Sequence, residues 1–214
     1  PTIKLLTNDV LIMNFIEHNN IRSNDYQKIL AKEILKIHSV TNDKYGFKFD
    51  SQIGGLKQPN SYSSNWINFF RDHRLGIIFE LINQNEPMPS LINRRLEAVI
   101  KNLENFIPSK PRISLLHGDL WKGNILFHNK KLVGLIDPGI FFGHNELEIA
   151  YLRWFNEINT SFLDYYSEII KIEKDYHTYE PIYQIYYSLL NVHLWSRKYI
   201  SDVDRLLSNI FNKK

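Results

Sequence analysis

The stretch that decides the fold is Ser114–Gly143, which reads SLLHGDLWKGNILFHNKKLVGLIDPGIFFG. It contains short apolar runs of strand length at 115–116, 125–127 and 132–136. The turn-forming residues at 128–131 predict a hairpin between the second and third runs. Two carboxylates and an amide remain at the ends of these strands, which is more polarity than a core needs: Asp119, Asn124 and Asp137.

The spacing of these three polar residues favours phosphoryl-transfer chemistry. Asn124 follows Asp119 closely enough for one turn to present both side chains to a cleft, and a hairpin returns Asp137 beside Asn124. An amide oxygen and a carboxylate suit Mg²⁺, which prefers oxygen ligands. The remaining carboxylate, Asp119, is free to accept a proton from an attacking hydroxyl. The order H-x-D, then Asn, then D-x-G is the arrangement found in kinases.

Length and composition narrow the class of protein. The chain has 214 residues, enough for one large domain or two small ones with a real core. Its formal net charge is +3 with acids and bases interspersed, so we expect no nucleic-acid partner and no anionic membrane surface. No apolar run reaches the roughly 18 residues that span a bilayer. The absence of cysteine excludes disulfides and thiolate metal sites, and a cytoplasmic location is expected.

Periodicity outside the central stretch predicts a strand pair followed by a mostly helical body around a small β platform. The expected strands cover 2–6 and 10–16, with a turn at 7–9, and the region 41–64 is expected to be a long ordered loop. Helices are predicted at 25–39, 66–83, 90–106, 146–156, 161–171, 181–200 and 202–211. The large aromatic side chains expected in the core are Trp66, Phe69, Phe70, Trp154 and Trp195.

Two groups of motifs carry a family resemblance. HGDLWKGN at 117–124 followed by LIDPG at 135–139 resembles the catalytic and metal motifs of the aminoglycoside and choline kinase superfamily. The fuller pattern is more similar to the fructosamine (ketosamine) kinase family, because QPN at 58–60, FFGHNELEIA at 141–150 and YQIYYSLLNVHLW at 183–195 follow in that family's order. The fold that this resemblance implies is α+β and protein-kinase-like, with 1–17 as a remnant of N-lobe strands and hinge, and 18–214 as the C-lobe catalytic domain.

The activity that the resemblance implies is ATP-dependent phosphorylation of a sugar hydroxyl on ketoamines, either small molecules or glycated proteins. In this reading Asp119 is the catalytic base, His117 braces its loop, and Asn124 and Asp137 bind Mg²⁺. The residues expected to hold the adenine of ATP are Asn14, Phe15 and Ile16. The residues expected to meet the acceptor substrate are Trp121, His144 and Glu146.

Plainer interpretations of the same residues stay open. Trp121 could simply pack, and His144 and Glu146 could cap a helix. Glu148 stands where the family usually has Asp, which leaves its role open. The glycine-rich phosphate loop and its lysine are not found, so we expect a truncated chain with little activity alone. The alternatives are an aminoglycoside-type or choline-type kinase, or a non-catalytic pseudokinase or binding module. The oligomeric state is left open.

Overall fold

Short strands and longer helices alternate along the chain, which confirms the α+β class. The computed structural model describes residues 2–7 and 10–211. The strands are β1 Ile3–Leu6, β2 Leu11–Met13, β3 Ser51–Ile53, β4 Leu56–Gln58, β5 Ile113–Leu116, β6 Ile125–His128, β7 Lys131–Leu135 and β8 Phe141–His144. The helices are α1 Tyr26–His38, α2 Trp66–Phe70, α3 Gly76–Asn85, α4 Ser90–Lys101, α5 Asn145–Trp154, α6 Thr160–Ser167, α7 Tyr176–Leu194 and α8 Ile200–Phe211.

The β platform consists of separate antiparallel pairs: β1 with β2, β3 with β4, β5 with β8, and β6 with β7. The β6–β7 hairpin was predicted, and its turn is formed by Asn129 and Lys130, both with positive φ, at +47° and +70°. Strand β8 was not predicted, because its apolar residues run directly into α5 without a break in the pattern. Of the turn predicted at 7–9, Asn8 and Asp9 lie outside the described residues.

The prediction of a long ordered loop at 41–64 is wrong in its middle, where two strands form. Strands β3 and β4 form a hairpin whose turn is Gly54-Gly55, with φ values of +54° and +84°. A two-residue turn with both φ values positive matches the twist of antiparallel strands, and glycine adopts it without strain. The hairpin positions Gly54 against the end of α7, where an added Cβ would lie 2.9 Å from Cδ1 of Leu194.

Three predicted helix boundaries also change. The helix expected at 66–83 is interrupted by a π-helical segment, Arg71–Leu75, between α2 and α3. The helix expected to begin at Pro181 begins at Tyr176 and ends at Leu194, so the proline lies inside it. The helix expected at 90–106 ends as α-helix at Lys101. None of the helices in the described part of the chain is long and apolar enough to cross a bilayer.

The core is built on aromatic contacts between α2 and α7. Trp66 is fully buried and stacks on Phe70, with ring centroids 5.3 Å apart. Its Nε1 donates a hydrogen bond to the hydroxyl of Tyr183 on α7, at 2.8 Å. The core prediction is therefore confirmed for Trp66 and Phe70, and equally for buried Phe69, whereas Trp154 is half-buried. It is wrong for Trp195, which follows the last residue of α7 and is 72% exposed.

A buried arginine ties the 41–64 region to the helices. Arg74 lies in the π-helical segment, and its Nη1 donates to the carbonyl oxygen of Pro59 at 2.9 Å. Its Nη2 donates to Oδ1 of Asn60 at 2.7 Å, and Asn60 in turn donates to the carbonyl oxygen of Phe49 at 3.1 Å. The guanidinium lies 4.0 Å from the ring centroid of Phe141 on β8. One side chain thus joins the loop, the π segment and the strand.

Replacing Arg74 tests this role. Arg74→Met keeps the apolar stem but leaves the buried acceptors on Pro59 and Asn60 without a donor. We expect it to lower the free energy of unfolding by about 3 kcal/mol, because hydrogen bonds from a charged donor are the costly ones to lose. Urea denaturation measures the change. The matched control is Arg71→Met in the same segment, whose surface contact with Asp72 should cost no more than about 1 kcal/mol. Equal losses in the two variants would contradict the assignment.

Candidate active site

The turn between β5 and β6 brings two of the predicted site residues together. Nδ2 of Asn124 donates to the backbone carbonyl of Asp119 at 2.9 Å and to its carboxylate Oδ2 at 3.2 Å. The backbone N–H of Asn124 donates to the carbonyl of Trp121, which closes the turn at 2.9 Å. The amide nitrogen of Asn124 is committed to Asp119, so its Oδ1 is left as the ligand-binding atom.

Pairing of β6 with β7 delivers Asp137 to the same place. Ile125 is opposite Leu135, and the backbone N–H of Ile136 donates to the carbonyl of Asn124 at 3.1 Å. Asp137 follows with φ +54°, a left-handed conformation that ends the strand. Asp119, Asn124 and Asp137 line one cavity of about 720 Å³. The structure therefore brings together the three residues that the sequence analysis singled out.

Two glycines allow the turn that carries Asp119 to contact the turn that carries Asp137. Gly118 has φ +85°, and a Cβ added there would lie 2.3 Å from the carbonyl oxygen of Gly139. Gly139 is also closely packed, because a Cβ added there would lie 2.9 Å from Nε2 of Gln58 and 3.2 Å from the carbonyl oxygen of Gln52. Any larger residue at 118 would push the turn that carries Asp119 away from the turn that carries Asp137. The two carboxylates share a cavity because their backbones are in contact.

Glu148 on α5 fixes the backbone of the β5–β6 turn through hydrogen bonds. It is fully buried, and its Oε1 accepts from the N–H of Gly118 at 2.6 Å while Oε2 accepts from the N–H of His117 at 3.2 Å. Nε2 of His38 on α1 lies 2.9 Å from the same Oε2. Burial works to raise the pKa of Glu148, but the hydrogen bond and charge of His38 and the Gly118 N–H hold it below its usual value. The Glu148 side chain, one methylene longer than that of aspartate, thus reaches both backbone donors.

His117 lies within this arrangement. Its Nδ1 accepts from the N–H of Asp119 at 3.3 Å, and burial lowers the pKa of the imidazole, so the ring is neutral near pH 7. This is the position expected of a residue that braces the turn. The role predicted for His117 stays a prediction.

The protonation of Asp119 is set by its surroundings. Burial raises the pKa of its carboxyl to about 6, and hydrogen bonds from Tyr151 and Asn124 limit that rise. The hydroxyl of Tyr151 donates to Oδ1 of Asp119 at 3.0 Å. Sequence reasoning missed Tyr151, although it lies three positions after Glu148 and therefore on the same face of α5. A carboxylate with a pKa of about 6 is mostly ionised at neutral pH and can accept a proton.

The oxygen atoms left at the site fit a hard cation. Asn124 offers Oδ1 and exposed Asp137 offers its carboxylate, both into the same cavity. Among the described residues, no cluster of three or more His, Asp or Glu side chains forms a complete metal site. Mg²⁺ is commonly held by one or two carboxylates, with phosphate oxygens and water completing its shell. The donor set therefore fits a cation that arrives with a phosphate ligand.

A second cavity, of about 290 Å³, adjoins the first at Asp119. It is enclosed chiefly by apolar and aromatic side chains, and Trp121 and Trp195 line both cavities. Trp121 is 37% exposed and lies across Gly123, where an added Cβ would be 2.4 Å from the indole ring. The position of Trp121 agrees with a substrate contact, and that role stays a prediction. Trp195 was expected in the core and was missed as a site residue.

The three residues predicted to hold adenine do not line either cavity. Phe15 is 84% exposed, and the N–H of Asn14 is paired with the carbonyl of Thr2 at 3.0 Å. Ile16 is half-buried against β7, where its Cδ1 would lie 2.9 Å from a Cβ added at Gly134. Strand β2 ends at Met13, so the cavity wall on this side consists of earlier residues: Ile3, Leu11 and Met13. Adenine binding by Asn14, Phe15 and Ile16 stays a prediction.

His144 and Glu146 are buried beneath the site, which corrects their predicted place in the acceptor pocket. Nδ1 of His144 is hydrogen-bonded to the Tyr183 hydroxyl at 2.8 Å. Burial lowers the pKa of the His144 imidazole to about 3. Glu146 accepts from the N–H of Glu173 at 2.6 Å and from the hydroxyl of Tyr179. Each side chain is about 1% exposed. They lie at the end of β8 and the start of α5, where both contact tyrosines of α7, and neither lines a cavity.

Comparisons with known proteins agree with this geometry. The family model described as fructosamine kinase matches residues 4–213. A relative in Enterococcus faecium, named a probable ketoamine kinase, is 35% identical over 187 residues, covering 86% of this chain and 66% of that protein. A chloroplastic protein-ribulosamine 3-kinase of Arabidopsis thaliana is 29% identical, covering 93% of this chain and 61% of that protein. The chain thus spans less than two thirds of the length of these two curated relatives.

Solved structures show the same fold. A protein of Thermobifida fusca assigned as a fructosamine-3-kinase superposes with a TM-score of 0.88 at 21% identity, covering 99% of this chain and 73% of that one. The choline kinase LicA of Streptococcus pneumoniae superposes with a TM-score of 0.67 at 14% identity, covering 99% and 74%. The predicted protein-kinase-like fold is confirmed.

Removing the Tyr151 hydroxyl should shift the titration of Asp119. In Tyr151→Phe the hydrogen bond that holds the pKa down is lost, so the pKa of Asp119 rises above about 6. The acid limb of the pH profile of kcat/KM should move to higher pH in the same direction. The control is Tyr187→Phe, whose ring stacks on Tyr151 at 3.7 Å but whose hydroxyl has no partner among the described atoms. An identical acid limb in wild type and Tyr151→Phe would refute the coupling.

Glu146 should make stability depend on pH. Burial raises the pKa of its carboxyl from 4.5 to about 7 in the folded protein. Between these values the folded protein keeps a proton that the unfolded chain releases, so stability falls as pH rises from about 4.5 to 7. We expect a loss of up to about 3 kcal/mol across that window, measured by urea denaturation. Glu146→Gln cannot ionise and should flatten this slope, whereas exposed Glu97→Gln should leave it unchanged; unaltered slopes in both would overturn the interpretation.

Proposed function

The chain belongs to the fructosamine kinase family, and from that premise we propose that it carries the catalytic part of an ATP-dependent ketoamine kinase. The acceptor is a sugar hydroxyl of a glycated amine, the class of compound named for the Enterococcus and Arabidopsis relatives. The observation that carries the proposal is the meeting of Asp119, Asn124 and Asp137 in one cavity. A carboxylate free to take a proton beside two oxygen ligands is the set of groups that phosphoryl transfer needs.

In the proposed reaction the acceptor hydroxyl oxygen attacks the γ-phosphorus of ATP, its proton passes to Asp119, and ADP leaves. Tyr151 and Asn124 each donate to the Asp119 carboxylate and so fix the direction from which it faces the hydroxyl. Oδ1 of Asn124 and the carboxylate of Asp137 would hold Mg²⁺, which when bound offsets the negative charge of the phosphates. Because Asp119 has a pKa of about 6, it is ready to accept at neutral pH.

The charge of the phosphates is only partly matched by the described residues. Neither cavity is lined by a lysine or arginine among them. Phosphoryl transfer depends on cationic groups around the phosphates, so we propose that the 214-residue chain alone turns over slowly. We also propose that residues 1–17 belong to the nucleotide-binding lobe and 18–214 to the catalytic lobe, and that the enzyme is cytoplasmic. The family match over residues 4–213 and the presence of the base and both metal-binding positions favour an active kinase over a pseudokinase.

Substitution of Asp119 tests the function. In the protein that carries this chain, Asp119→Asn should abolish ATP-dependent phosphorylation of a fructosyl amine, with a loss of at least about a thousandfold in kcat, because the proton has no acceptor. Nucleotide affinity should persist. The control is Asp164→Asn, the same exchange at a residue of α6 that lines neither cavity. Wild-type turnover by Asp119→Asn, followed by the transfer of phosphate from ATP, would exclude Asp119 as the base.

A further inference from the structure

The cavity of about 290 Å³ beside Asp119 is shaped for a part of the acceptor that the transfer chemistry does not use. It shares Asp119 with the larger cavity, so a sugar whose hydroxyl meets Asp119 can direct its remaining substituent into this space. A volume of this size lies at the lower end of the range for small-molecule sites and admits a ring-sized group.

The walls of this cavity are aromatic and aliphatic. Its floor includes Tyr151 and Phe155 of the α5 region, and α7 contributes Leu190 and Leu194. Trp121 stands on the side of the catalytic turn, and Trp195 stands on the side of α7. The tip of the β3–β4 hairpin closes the space, since a Cβ added at Gly54 would lie 3.9 Å from Cζ2 of Trp195.

Charge narrows the class of ligand further. None of the described residues that line this cavity is a lysine or arginine, and its one ionisable acid is Asp119. Lys198 is not a lining residue, and its Nζ lies 5.2 Å from the ring centroid of Tyr199, which lines the cavity. A carboxylate inside the cavity would meet the like charge of Asp119 and no lining cation, which is unfavourable. A protonated amine, in contrast, would meet indole faces and the Asp119 carboxylate.

Trp195 is the feature that the proposed transfer chemistry does not explain. An indole that is 72% exposed in the free protein contributes little to stability, yet it lies at the mouth of both cavities. The backbone N–H of Trp195 donates to the carbonyl of Asn191 at 3.1 Å at the end of α7, and the tip of the β3–β4 hairpin lies beside its ring. Exposed aromatic rings are well suited to bind flat or apolar groups.

We propose that Trp195 and Trp121 form the two sides of a subsite for the amine substituent of the ketoamine, and that this subsite selects apolar substituents, above all aromatic ones, over acidic ones. The proposal rests on the proposed ketoamine kinase function and adds the part of the substrate that the family name leaves open. Trp195 is the specificity-determining residue, because it is not in contact with the hydroxyl-activating group and is unnecessary for the transfer itself.

The test compares ketoamines that share 1-deoxyfructose and differ only in the amine: methylamine, benzylamine and 4-carboxybenzylamine. For the wild-type protein that carries this chain, we expect kcat/KM for the benzyl compound to be about tenfold or more above that for the other two. Trp195→Ala should lower the benzyl value by about tenfold and the methyl value much less. Trp195→Phe should retain most of the benzyl preference, and Trp195→Arg should raise kcat/KM for the carboxybenzyl compound.

Two controls separate this proposal from the function on which it rests. Tyr62→Ala removes an exposed aromatic ring that lines neither cavity and should change none of the three values. Binding of the three compounds without ATP, followed by quenching of tryptophan fluorescence, measures the subsite independently of turnover. Selective binding that depends on Trp195, with no phosphorylation of any compound, would refute the kinase function and support the subsite. Phosphorylation of all three with no effect of Trp195→Ala, or with equal effects on all, would refute the subsite.

Discussion

The site depends on one buried carboxylate. Glu148 accepts hydrogen bonds from two successive backbone N–H groups, those of His117 and Gly118, and from His38 on α1. Without it, two buried backbone donors and a buried imidazole would lose their acceptor together, and the turn that carries Asp119 would lose its fixed position. The same residue joins α1, the β5–β6 turn and α5, so the geometry of the catalytic turn is set by the packing of helices that carry no chemistry themselves.

Three neighbouring carboxylates show how environment divides their roles. Glu148 is fully buried, but its donors keep its pKa below the usual value, so it is the permanent anion of the structure. Asp119 is partly buried with fewer donors, and its pKa of about 6 leaves it able to take up and release a proton. Glu146 is buried with Tyr179 and the Glu173 N–H as donors, and its pKa of about 7 reflects burial that these bonds do not offset. Of these three carboxylates, Asp119 alone lines a cavity.

The sequence was sufficient for those parts of the site that are local. Asp119, Asn124 and Asp137 lie within one hairpin unit, so strand length and turn composition were enough to bring them together. The parts it did not reveal depend on contacts between distant segments. Strand β8 is defined by pairing with β5, and the β3–β4 hairpin was hidden within a polar region although Gly54-Gly55 is a turn signal. Trp195 has the same apolar character as a core tryptophan, and only the end of α7 exposes it.

Tyr151 shows why a site residue can be foreseeable and still be missed. Its place three positions after Glu148 puts both side chains on the face of α5 that meets the catalytic turn, so helical spacing alone links them. Yet a tyrosine among apolar neighbours looks like a core residue, and its ring is indeed buried against Tyr187. The hydroxyl alone distinguishes the two roles, because a buried O–H requires an acceptor and Asp119 is the acceptor within reach. The ring of Tyr151 therefore contributes to the packing of the core, while its hydroxyl orients the Asp119 carboxylate.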